Sequence, residues 1–80
     1  MTASRMPTVG RIVLVGIDPA VNNGADRAPA IITRVFTPEC VNLRVMVDGP
    51  GEMPWRTSST LCEPEDLAGT TAKWAWPPLV

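Results

Sequence analysis

The side chains with the most chemistry to offer are three tryptophans, Trp55, Trp74 and Trp76, and the arginines Arg34, Arg44 and Arg56. Trp74 and Trp76 are two apart, so on an extended chain their rings share one face. Such a pair can act as an aromatic platform for a flat ligand, a base or an extended peptide. It can equally supply core, since each ring buries on the order of 150–250 Å² and the chain has a single Phe and no Tyr besides. The arginines fall on three successive segments of β character. Side by side they would form a positive stripe able to hold a phosphate or carboxylate in forked hydrogen bonds. On separate positions they are ordinary solvated arginines.

Other chemistry is hard to build. The chain has no His, which removes imidazole bases, His metal ligands and His pH switches. Ser58, Ser59 and Thr60 therefore have no imidazole to activate them, and the single Lys73 sits in no recognisable signature. Glu63, Glu65 and Asp66 cluster around Pro64 without the carboxylate ladder of a calcium loop, and read as a solvated turn. Gly49-Pro50-Gly51 is no phosphate loop, because Pro50 lacks an N–H and no helix pattern follows. Cys40 and Cys62 form no C-x-x-C, and a zinc site would need two further ligands. Two half-buried free thiols are expected, with a disulfide as the second reading. No cofactor and no metal site is expected.

Eighty residues with a net charge of −1 make one small domain with no basic excess for phosphate neutralisation, so nucleic-acid binding is not expected. The longest apolar run, Ile12 to Ile17, is too short to span a bilayer, and Met1 to Met6 holds no apolar signal core. The expectation is a cytoplasmic protein.

The elements that must position these residues are strands. Nine prolines and six glycines punctuate the chain so often that no average-length helix fits. The longest stretch free of both, Glu39 to Asp48, alternates strictly. Val41, Leu43, Val45 and Val47 lie on one face, and Asn42, Arg44, Met46 and Asp48 on the other. Further strands are predicted at Arg11–Ile17, Ala30–Thr37, Trp55–Cys62 and Thr71–Trp76, separated by turn-forming Pro, Gly, Asn and Asp. In the second of the five, Ile32 and Phe36 are expected to face inward. Five short strands at regular spacing predict an all-β small barrel or sandwich, residues 1–80 forming one domain and residues 1–8 a flexible arm.

Two family resemblances accompany this reading. PTVGRIV (Pro7 to Val13), RAPAIITRVF (Arg27 to Phe36), VNLRVMVDG (Val41 to Gly49), PWRTSSTLC (Pro54 to Cys62) and WAWPP (Trp74 to Pro78) together resemble a group of short tailed-phage and prophage proteins. That group typically carries R-P-A-I-V, V-N-L-x-V-x-x-D-G and a late W-H-W-P. The resemblance implies a single five-stranded SH3-like barrel and no assigned activity. The chain departs from it at Ala28, which interrupts the Arg-Pro pair, and at Ala75, where the group has His. Ala75 is thus where a functional difference is expected. GRIVLVGIDP (Gly10 to Pro19), followed by Arg27 and PAIIT, is similar to the opening of MazF/PemK-type endoribonuclease barrels. Arg27 stands one residue early for that family's arginine, and its later Ser/Thr segment is missing.

The expectation is therefore a non-enzymatic phage or prophage accessory protein. It would bind a host or phage protein, or a small ligand, through Trp74, Trp76, Trp55, Arg34, Arg44 and Arg56. A minor virion component and an RNA-cleaving barrel using Arg27 are the alternatives.

Overall fold

A computed structural model describes residues 5–78. The five strands are β1 (Ile12–Gly16), β2 (Arg27–Val35), β3 (Cys40–Val45), β4 (Trp55–Leu61) and β5 (Lys73–Ala75). Each pairs with the next, and β5 returns to β1, closing an all-β barrel of the SH3-like kind. Every pairing is antiparallel except β4 with β5, which run parallel. That parallel step needs a crossover, and a 3₁₀ turn at Pro64–Asp66 lies within it. A second 3₁₀ turn, Pro19–Val21, follows β1, its first turn capped by Asp18 Oδ1 accepting from the Ala20 amide at 2.9 Å. Among the described residues no helix is long and apolar enough to cross a membrane.

The period-two pattern of β3 is realised: Val41, Leu43 and Val45 are fully buried and Val47 packs against them. Register then builds the core row by row. Val13 and Val45 flank Ala30, Leu43 faces Ile32, and Ala28, Val15 and Trp74 form one row across three strands. The alanine in that row is compatible with the volume of an indole inside so small a barrel. The β4 side of the interior is more polar, with Arg56 opposite Leu43 and Ser59 opposite Val41.

Two bulges set the faces. On β2 the pairing passes from Ile32↔Leu43 to Arg34↔Asn42, so Thr33 is the extra residue. The parity of β2 flips there. Ile32 is inward as expected, but Val35 rather than Phe36 packs on the core, and Phe36 is exposed. On β4 the extra residue falls between Arg56 and Ser59. Ser58 there takes a left-handed φ of 54°. Asn42 Oδ1 holds this bulge, accepting from the Ser58 amide (2.8 Å) and Thr57 Oγ1 (2.9 Å).

Strand β2 also starts earlier than the sequence suggests, at Arg27 and through Pro29. The Pro29 carbonyl accepts from the Met46 amide, so its missing N–H points to the same side, where β3 has already ended. The long first loop is tied by buried Asn22. Its Nδ2 donates to the Ala25 and Arg27 carbonyls and its Oδ1 accepts from the Asp48 amide at 2.7 Å. Of the expected N-terminal arm, residues 1–4 lie outside the described residues. Pro7 is buried, and the chain between it and β1 is held by Arg11 N–H to Thr8 O and Gly10 N–H to Ile32 O.

Candidate functional site

Strand β5 presents the tryptophan pair, and its two members differ. Trp74 is fully buried opposite Val15, and its ring N–H donates to the Glu39 carbonyl at 3.0 Å. That bond satisfies the one polar atom of an indole placed in the core. Trp76 lies just past the end of β5 and is half-buried. It meets Trp74 edge to face, with centroids 5.2 Å apart and planes at 78°. Pro77 and Pro78 cannot continue the ladder. A fixed core ring on one side and two stiff prolines on the other therefore hold Trp76 at the surface.

The N-terminal segment meets it there. The Arg5 guanidinium lies 5.0 Å from the Trp76 ring centroid, a cation–π contact. Three shallow grooves share these two residues. One runs along Met6, Ile12 and Pro78. The second passes Leu61, Cys62 and Pro64. The third reaches Met6, Pro38 and Leu61. Met6 and Leu61 are exposed apolar side chains, so the walls offer a partner apolar area. Apart from Arg5, and from Arg11 in the first groove, the charged lining is acidic: Glu39, Glu63 and Asp66.

Cys62 is half-buried in this lining, and both it and Cys40 are free thiols. Burial pushes the Cys62 thiol above its ordinary value. Lys73 opposes that shift, and Asp66, Glu63 and Glu65 add to it.

The remaining predicted residues lie elsewhere. Trp55 is 53% exposed on the outer face of β4, opposite Arg44, and lines none of the grooves around Trp76. The three arginines form no stripe. Arg34 lies over its own neighbour, Phe36, at 5.3 Å. Arg44 points outward and donates to the Met53 carbonyl at 3.1 Å. Arg56 takes the opposite face of the sheet, half-buried, and donates to the Gly16 carbonyl at 2.7 Å. Burial lowers its pKa from the ordinary arginine value. The three strands are adjacent, but Arg56 takes the inward parity of Leu43, while the bulge at Thr33 leaves Arg34 on the outer face with Arg44.

Ala75, where a functional difference was expected, lies away from the groove walls. It is fully buried opposite Leu14, so the position contributes no exposed group to the grooves. Arg27 opens β2, exposed, opposite Gly16. Among the described residues no cluster of Cys, Asp and Glu could hold a metal ion.

No protein-family model, no curated protein and no solved structure matches this chain. The site is therefore read from its own geometry.

The sequence pointed to Trp74 and Trp76 but not to Arg5, Met6, Glu39, Leu61 or Cys62. Those residues are far apart in the chain and carry no shared spacing. Only barrel closure, which brings Arg5 and Pro78 to one groove, assembles them.

Proposed function

We propose that this chain is a small non-enzymatic binding module, a phage or prophage accessory protein that engages a host protein or small ligand through the surface around Trp76. The observation that carries the reading is one ring. Trp76 is held half-exposed by a buried tryptophan and two prolines, with grooves leading away from it on several sides. A rigid aromatic anchor set among apolar walls is the usual centre of a binding hot spot. The Cys62 thiol in the lining has its pKa raised by burial, which disfavours the nucleophilic thiolate, and the half-buried Arg56 is committed to a backbone carbonyl. Binding is thus the chemistry that these groups support.

The test is capture from host lysate with native mass spectrometry, comparing wild type, Trp76→Ala and Trp55→Ala. The expected outcome is a partner or ligand retained by wild type and by Trp55→Ala and lost from Trp76→Ala. Truncating a hot-spot aromatic costs about 2–4 kcal/mol, a loss of more than an order of magnitude in affinity. Equal retention by Trp76→Ala would remove the reading. Recovery of the chain only in purified virions would assign it to the particle instead.

A further inference from the structure

The cation over Trp76 belongs to the chain itself, and it is weakly held. Arg5 is exposed, and its contact with the ring is a solvent-facing cation–π pair. The anchor behind it is close: Pro7 is buried, and Thr8 accepts from the Arg11 amide. The guanidinium therefore stays near the ring even when it leaves it, because buried Pro7 tethers the chain two residues away.

The surroundings favour a cation independently of Arg5. Glu39 lines one groove, and Glu63 and Asp66 line another. Glu63, Glu65 and Asp66 also act on Cys62 in that lining, and Lys73 opposes them. Arg11 is the other cation, on the remaining side. With Arg5 removed, the ring would thus lie in a mainly acidic setting, flanked by apolar walls that extend beyond one side chain. A planar guanidinium suits that setting better than an ammonium. It stacks on an aromatic face and is less strongly hydrated.

Resting on the Trp76 surface as the binding face, we propose that Trp76 is a receptor for a guanidinium, that Arg5 fills it in the free protein, and that a protein partner docks by placing an arginine of its own there in exchange. The grooves on either side take the apolar residues flanking that arginine. Arg5 is then an internal competitor, and the apparent affinity of the site is reduced by the fraction of molecules in which Arg5 is seated.

The experiment titrates the full chain with the probe acetyl-Ala-Leu-Arg-Leu-Ala-amide and with the same peptide carrying citrulline, following by NMR the backbone amides of Met6 and Leu61 in every variant and the Trp76 indole N–H wherever the ring is present. Wild type, Arg5→Ala, Arg5→Gln and Trp76→Ala are compared. Arg5 is exposed, so both of its variants should fold as wild type does. The expected result is roughly three- to tenfold tighter binding of the arginine peptide by Arg5→Ala and Arg5→Gln than by wild type. Citrulline should bind more weakly to all three, and added salt should narrow that gap. Unchanged or weaker binding by the Arg5 variants, equal binding of citrulline, or no movement of the Trp76 resonance would each overturn the exchange. A lysate partner that depends on Trp76 but ignores Arg5 would leave the binding face standing and remove only the exchange.

Discussion

Ser59 is the one buried side-chain oxygen among the described residues without a hydrogen-bond partner. It faces Val41 inside the barrel at 1% exposure. A hydroxyl there loses water and gains nothing, whereas a methyl group in its place has no such cost. Ser59→Ala should therefore be neutral to stabilising, by up to about 1 kcal/mol in urea unfolding. A clear loss of stability would show that the hydroxyl is satisfied. Its neighbours behave differently. The amide of Ser58, forced to a positive φ, is satisfied by Asn42, and Asn22 uses both ends of its side-chain amide. In the sequence, Asn22 looks like one more turn residue and Asn42 like a polar residue on the outer face of a strand. Asp48, for Asn22, and Thr57 and Ser58, for Asn42, lie on other segments, so spacing along the chain could not reveal these bonds.

At the scale of elements, the crossover between β4 and β5 depends on Gly16 at the end of β1. A Cβ at that position would lie 2.2 Å from the Leu67 carbonyl oxygen and 2.5 Å from that of Thr70. Both obstacles are backbone and cannot swing aside as a side chain can. The same glycine's carbonyl receives Arg56. Gly16→Ala should cost about 1–3 kcal/mol in chemical denaturation, typical of forced overpacking. Gly24→Ala tests a different cause, since its φ of 88° is strained for alanine but its surroundings are open. Much of the fold was legible at this scale. Val41, Leu43 and Val45 alternate, and the prolines and glycines mark four of the connections. The misreadings had local causes. Pro29 concealed the start of β2 because a proline is harmless where a neighbouring ladder has ended. Phe36 was assigned to the wrong face because the bulge at Thr33 leaves no mark in composition. Of the candidate site, the tryptophan pair was legible from its spacing. The cation over it was not, since the contact joins Arg5 to a residue near the other end of the sequence.

The whole molecule depends on a core shared by every strand except the polar β4 side. Leu43 is fully buried, faces Ile32 on β2 and stands opposite Arg56 on β4. Leu43→Ala should cost about 2–5 kcal/mol, a large share of the roughly 5–15 kcal/mol that holds a small domain together. Loss of the cooperative near-UV transition at ambient temperature is the expected readout. A cost under about 1 kcal/mol would contradict its place at the centre. The barrel is also closed by a short strand. β5 has three residues, yet it pairs with β1 on one side and β4 on the other. The tryptophan it carries inward adds the largest fully buried side chain in the chain.

That closure has a practical side. Arg5 and Pro78 border one groove, so a bulky label attached at either residue would hang over the face to be assayed. The exposed stretch from Gly49 to Gly51, where an added Cβ meets nothing, is the better attachment point.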